Sequence, residues 1–371
     1  MVNPRPRVIH MTTSHLADDV RIYERECRSL VEVGGYEVLL AAGGPAPKAS
    51  TVEFLPMSAP ADQRLPRLAL GLKRAYFLAS TLTFDLWHFH DPELLPVAVY
   101  LARRGENVIW DAHEDYLEQF SDSHSRDWVP SPLRGLVQRG TAYLIRQVDE
   151  KASGVVAATP SIAAGYSNPR TVIVGNEARL EAFAGCEPDF DSREVLFTGQ
   201  VGPGHLFGQL VTAVSMIPDV FLTVAGRTPD PHAWQQAQDL LGERIRHLGW
   251  LDRIQLASTM NSSALGTSLY EDLPTNRNNS PNKLYEFCAA GLPVVASPNE
   301  SNVKFVDAGA GGFLATDYTG PGLSAAIELA LSDRVRWESA SQEGRAWAQK
   351  VGSWTPSESR LIGLYQQILG V

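Results

Sequence analysis

Cysteine is scarce, with three in 371 residues: Cys27, Cys186 and Cys288. They are scattered and show no metal-ligand spacing, which argues against a disulfide framework or a thiolate zinc site and fits a reducing compartment. No apolar run approaches the ~20 residues of a membrane span, and the opening MVNPRPRVIHM lacks the apolar stretch of a signal peptide. A cytoplasmic protein is therefore expected. An excess of basic charge is also missing. The chain has 32 Lys and Arg against 42 Asp and Glu, a net charge of −10. That balance argues against nucleic acid as a partner. Low-complexity tracts and short repeats are absent as well. What is present is 44% hydrophobic and 20% charged, ordinary for a globular protein with material for two domains.

Short apolar runs alternate with helical stretches along the chain. RVIHM, YEVLLAAG, TVEFLPM, DLWHFH, ENVIWDAH, GVVAAT and RTVIVGN read as strands of a first half. Asp18 to Val33 reads as one amphipathic helix, and 65–82 as a basic one. From Arg179 to Ser192 the period breaks, as a linker would. EVLFTGQ, VFLTVAGR, IRHLGW, ALGTSLY and PVVAS then restart the alternation, helices fill the end, and 355–371 is an amphipathic helix. Repeated strand–helix units imply two doubly wound parallel sheets, over 1–180 and 190–352.

Ligands of such sheets sit beyond the carboxyl ends of the strands, and two facing domains make a cleft between them. That rule selects 12–21, 88–91, 111–116, 199–205, 226–228, Trp250 onward, and the stretch SPNKLYEFCAAGLPVVAS. In this last stretch Ser280 suits an N-cap, Pro281 the first helical position, and Gly291 the stop. Leu284, Phe287, Cys288 and Gly291 form a buried stripe. Asn282, Lys283 and Glu286 share a polar face near the helix start, where an anionic ligand bearing hydroxyls would fit. The plain alternative is an exposed Lys283–Glu286 pair, with Asn282 supporting the first turn. Gly199, Gly202 and Gly204 fit either ordinary turns or a loop approaching phosphate.

The stretch SPNKLYEFCAAGLPVVAS resembles the donor-binding signature of glycosyltransferase family 4, whose fold is GT-B. DDVRIYERECRSL, DLWHFHDPELLPVA and VIWDAHEDY agree with a bacterial branch of that family. The resemblance covers nearly the whole chain. It implies two Rossmann-like domains facing a cleft, with the C-terminal helix crossing back to the first domain. It also implies retaining, metal-independent transfer of a sugar from a nucleotide-diphosphate sugar to a saccharide, lipid-linked or natural-product acceptor. Neither a cofactor nor a metal is expected.

The same resemblance distributes roles. Glu286 would hold the ribose hydroxyls, Lys283 would lie near the diphosphate, and His113 would contact the donor sugar. Gly199, Gly204, Gly226, Arg227, Trp250, Pro281, Asn282 and Leu284 complete the donor set. Two departures stand out. Asn278 replaces the first Glu of the family's Glu-x7-Glu motif. Gln200 and His205 stand where the family carries Arg and Lys. Charge on the leaving diphosphate must then be met by Lys283, Arg227, a protonated His205 and a helix N-terminus. Failing that, the chain would be a degenerate GT-B protein serving as a binding or regulatory subunit. A nucleotide-sugar epimerase on the same fold is the other rival.

His15, Asp19, Arg21, His90, Asp91, Glu114 and Asp115 are the acceptor-side candidates. One of Asp18 and Asp19 is expected to cap a helix. His88 and His90 alternate on one strand face, and a metal there would need a third and a fourth ligand. The 64–82 segment, with Arg64, Arg67, Lys73 and Arg74, reads first as a solvated core helix. It reads second as a peripheral contact with an anionic membrane surface.

Overall fold

The structure, a computed structural model, describes residues 5–47, 50–57, 64–117, 131–202, 204–227, 230–277 and 279–371. The chain forms two compact units, 1–175 together with 355–371, and 176–354.

The first unit is a sheet of β1 (Arg7–Leu16), β2 (Glu37–Gly43), β3 (Glu53–Pro56), β4 (Leu86–Phe89), β5 (Val108–Ala112), β6 (Gly154–Ala157) and β7 (Thr171–Ile173). Its order is β3-β2-β1-β4-β5-β6-β7, and every pair is parallel. The order reverses between β1 and β4. Alternate side chains divide the faces. Ile9, Met11, Trp87, Phe89, Val108 and Trp110 join helical residues such as Ala75, Leu95, Ala98 and Val148 in an apolar core. His10, His88 and His90 take the opposite parity, on the face reached by the C-terminal helix Thr355–Leu369, whose Tyr365 is fully buried.

The expected helix from Asp18 to Val33 is wound in two ways. Val20–Cys27 is a π-helix, and only Arg28–Glu32 is α-helical. Wider winding brings residues five apart onto one side. Arg21 and Glu26 are five apart, and their side chains pair at 3.2 Å inside the unit. An amphipathic α-helix would not make that pairing, so periodicity alone misread the segment.

The second unit is a sheet of β8 (Glu194–Thr198), β9 (Phe221–Ala225), β10 (Ile245–Gly249), β11 (Leu265–Ser268), β12 (Val294–Ala296) and β13 (Gly312–Leu314). Its order is β10-β9-β8-β11-β12-β13, again parallel, with the reversal between β8 and β11. β13 lies where the sequence suggested only helices. Its three residues are too short a run to show a period. The stretch 179–192, expected as a linker, folds into this unit as turns over Leu180–Phe183 and Phe190–Ser192, with Phe183 and Cys186 in the core. These are the two Rossmann-like domains of the GT-B fold.

Candidate functional site

In the second unit the reversal of strand order opens a crevice at the carboxyl ends of β8 and β11. Gly199 ends β8 with φ +121°, a conformation side chains avoid. A Cβ on Gly226 would run into the Gly199 carbonyl oxygen, so the two loops touch backbone to backbone. The Lys283 ammonium reaches this point. It lies 3.6 Å from where a Cβ on Gly199 would sit, and 5.2 Å and 5.1 Å from the centres of the Phe197 and Tyr270 rings. Burial lowers the Lys283 pKa to about 8, against the pull of Glu286. The His205 ring lies 5.4 Å from the same Tyr270 ring. Gly204 (φ +83°) and the left-handed Leu206 bend the loop between. An ammonium, an imidazole and a glycine turn therefore converge beside Tyr270.

The helix that carries Lys283 runs Asn282–Ala290 and stops at Gly291 in left-handed geometry. Two local expectations change. Pro281, not Ser280, holds the cap position, and the Ser280 hydroxyl meets the Tyr285 hydroxyl at 2.7 Å. Glu286 is not on an exposed face beside Lys283. It is buried, and its Oε1 accepts from Arg253 Nη1 at 2.7 Å. Leu284 is in the core, which leaves only its main chain for a ligand. Asn282 is half-buried in the first turn.

Gln200 is exposed. Arg227 stacks on the exposed Trp250 ring, 4.8 Å from its centre. Asn278 and Thr228 lie outside the described residues. Arg253 and Tyr270 were missed by the sequence reading. The signal for Arg253 was present: Asp252 and Gln255 form a reciprocal capping box that starts a helix at Arg253, just past β10.

In the first unit the reversal lies between β1 and β4, and Asp91 occupies it. Its carboxylate accepts from the Thr12 hydroxyl (2.5 Å) and from the Thr13 and Ser14 amides (2.6 and 3.0 Å), and it pairs with His15 Nδ1 (3.1 Å). Burial would lower the His15 pKa. Asp91, aided by Asp19 and Glu114, overrides it and lifts the value to about 10. His15 is therefore a fixed cation at neutral pH. The His113 ring stands 5.1 Å from the His15 ring, edge on, and Glu114 and Asp115 follow, exposed.

Two acceptor-side candidates, Arg21 and His90, are buried among partners inside the unit, and a third, Asp19, is half-buried at a helix cap. Asp19 caps the π-helix by accepting from the Arg21 and Ile22 amides. Arg21 is buried, forked onto Asp111 at 2.9 and 3.1 Å, and donates to the Val174 and Gly175 carbonyls. His90 has no exposure and lies between Asp111 and His10. Hydroxyl-binding residue types at a strand end were read as ligand groups, when two of the three make the unit's internal ion network.

Residues 193–333 match the family described as "Glycosyl transferases group 1". That match spans most of the second unit, including the Gly199 loop and the Lys283 helix. No curated protein matches the chain. Among solved structures, a sucrose-phosphate synthase from Thermosynechococcus elongatus superposes with a TM-score of 0.74 at 17% identity, over 99% of this chain and 100% of its own. Anabaena HepE in complex with UDP-glucose gives 0.69 at 15%, over 98% and 100%. WaaG, a glycosyltransferase involved in lipopolysaccharide biosynthesis, gives 0.70 at 15%, over 96% and 99%. The fold is that of these GT-B proteins, and the family match lies within the second unit.

The Arg253–Glu286 pair generates a prediction. Removing the carboxylate leaves Arg253 mostly buried with its main partner gone. Glu286→Ala should lower stability by about 1–3 kcal/mol, while Glu286→Gln, which keeps an oxygen acceptor, should lose less than half of that. Urea denaturation of both variants decides. Equal losses would mean that the pair does not hold this part of the unit together.

Proposed function

We propose that the chain is a retaining, metal-independent glycosyltransferase of family 4 and that its second unit binds a nucleotide-diphosphate sugar. One observation carries the reading. A half-buried lysine stands with its ammonium at the glycine turn after β8, at the start of a nine-residue helix, with a buried carboxylate one turn further along. The ammonium and the helix N-terminus suit a diphosphate. Glu286, held by Arg253, suits the two ribose hydroxyls. Lys283 then supplies the charge that Gln200 does not, with His205 and Arg227 as further donors, and Asn278 stays in the sugar-side set. Catalysis in this reading is positioning and electrostatics. The donor phosphate takes the acceptor proton on the face from which the diphosphate leaves. The HepE structures in complex with UDP-glucose, and with UDP and glucose, are consistent with a fold that holds such donors.

In the first unit we assign the acceptor to the β1–β4 end, where the His15 cation, Asp91, His113, Glu114 and Asp115 gather. The acceptor classes remain saccharide, lipid-linked or small-molecule. No helix among the described residues is long and apolar enough to cross a membrane. The helix Arg64–Thr81 presents Leu70, Lys73, Arg74 and Phe77 to solvent at i, i+3, i+4 and i+7, an apolar and basic stripe suited to an anionic surface. Phe77→Ser with Lys73→Glu should abolish cosedimentation with anionic vesicles and leave the melting temperature unchanged. Equal sedimentation of wild type and variant would remove the membrane contact.

Turnover tests the enzyme reading. With a panel of nucleotide sugars and acceptors in excess EDTA, we expect a glycoside that keeps the donor's anomeric configuration. Activity lost in chelator and restored by Mg²⁺ or Mn²⁺ would contradict metal independence. Interconversion of the sugar nucleotide without acceptor would identify an epimerase. Binding with neither hydrolysis nor transfer would identify a binding subunit.

The Lys283 pKa supplies a pH test. Below about 8 the ammonium is charged, and above it the charge is lost, so diphosphate affinity must fall as pH rises. Between pH 7 and pH 9 the loss should be roughly tenfold by calorimetry. Lys283→Arg should flatten the profile with affinity retained, and Lys283→Gln should flatten it at weak affinity. A level wild-type profile would place the diphosphate elsewhere.

A further inference from the structure

The β1–β4 face that meets the C-terminal helix holds a cluster that the sugar-transfer reading does not use. His10 and His88 are register partners on β1 and β4, and His90 lies two residues on, on the same face. Their rings pack at 4.4 to 5.1 Å between centres. Glu26 enters from the π-helix, with its Oε2 3.8 Å from His10 Nδ1. All four residues have no solvent exposure.

The outer nitrogens of the three imidazoles are all held by oxygen. His90 Nδ1 meets Asp111 Oδ2 at 3.0 Å, and His10 Nε2 and His88 Nδ1 meet the Tyr365 hydroxyl at 2.9 and 2.8 Å. Histidines that ligate metals are tethered in this way. Their inner atoms turn toward one another. His10 Nδ1 and His90 Nε2 lie 2.9 Å apart. One ligand atom from each of His10, Glu26, His88 and His90 falls within 4.8 Å of the other three.

Protons do not satisfy this arrangement. Asp111 accepts from His90 Nδ1–H, so His90 Nε2 accepts from His10 Nδ1–H. His10 Nε2 then accepts from Tyr365, whose oxygen accepts from His88 Nδ1–H. At the end of this chain His88 Nε2 is a buried lone pair with no hydrogen-bond donor, and Glu26, whose Oε1 faces Arg21 Nε at 3.2 Å, has none on Oε2. Such acceptors call for a cation.

We propose that His10, His88, His90 and Glu26 form a closed tetrahedral site for one Zn²⁺ ion, joining β1, β4 and the π-helix of the first unit. Three imidazoles and one carboxylate are a zinc donor set, and four protein ligands mark a structural site. Metal–nitrogen bonds of ~2.0–2.1 Å set tetrahedral ligands about 3.3 Å apart, so the His10–His90 contact has only to open slightly. The His10 proton moves from Nδ1 to Nε2, and Tyr365 becomes a double acceptor from His10 and His88. The three imidazoles release no proton, and Glu26 binds as the anion, giving up to solvent any proton it carries in the metal-free protein. His88 and His90 alone lacked a third and a fourth ligand, and His10 and Glu26 stand in those places. The site does not depend on the glycosyltransferase reading and leaves metal-free donor chemistry in the second unit untouched.

The test uses the full chain purified without chelator, equilibrated with equimolar zinc, exchanged into metal-free buffer and scored by elemental analysis. We expect about one zinc per chain in wild type, little in Glu26→Gln and His88→Gln, and ~10–100-fold weaker binding in Tyr365→Phe, which loses only the tether. Zinc well below one per chain in wild type, or equal zinc in wild type and variants, would overturn the site; the first result would leave a proton on Glu26 as the cation. Cobalt-loaded wild type provides a readout if the variants do not fold. Intense tetrahedral visible bands support the site, and the weak spectrum of six-coordinate, surface-bound cobalt contradicts it.

Discussion

A parallel sheet covered on both faces leaves its polar chemistry to the strand ends, and each unit of this chain is built on such a sheet. The order of strands then matters more than any single contact. Where it reverses, two crossovers diverge and leave a crevice. The second unit follows this constraint closely: its sheet faces are apolar, and its glycine turn, lysine and helix start all meet at the β8–β11 crevice. Partial burial against the Phe197 and Tyr270 rings lowers the Lys283 pKa to about 8 there.

The first unit departs from the rule. One of its sheet faces carries three histidines, and the helix beside it inserts Arg21 and Glu26. Buried charges persist only when paired and hydrogen-bonded. Arg21 on Asp111 and the chain of imidazoles running through Tyr365 to His88 supply that pairing for most of the network. The π-helix is the local price of it, since α winding would turn Arg21 and Glu26 to different sides. At the strand ends of the same unit, Asp91 collects four hydrogen bonds from residues 12–14 of β1 and still fixes His15 as a cation.

Much of this was legible in the sequence. Short apolar runs bounded by polar turns gave the strands of both sheets, and Gly291 gave the helix stop, because these signals are local. The three-residue β13 left no period to read. Arg179 to Ser192 looked like a linker because its buried Phe183 and Cys186 belong to turns, which have no repeat. At the site, Lys283 and Gly199 were legible from the motif and the strand-end rule. The Arg253–Glu286 pair was not, because it joins two helices whose proximity depends on strand order. For the same reason Arg21 and His90 read as ligand groups: their partner Asp111 is remote in sequence, and only the β1-β4-β5 order brings it beside them.

The account stands on a nucleotide diphosphate lying against the Gly199 turn. A crystal structure of the full chain with saturating nucleoside diphosphate tests this most directly. The account predicts phosphate oxygens within hydrogen-bond distance of Lys283 Nζ and the ribose hydroxyls on the Glu286 carboxylate. A diphosphate bound away from Lys283, or ribose hydroxyls that do not reach Glu286, would contradict it.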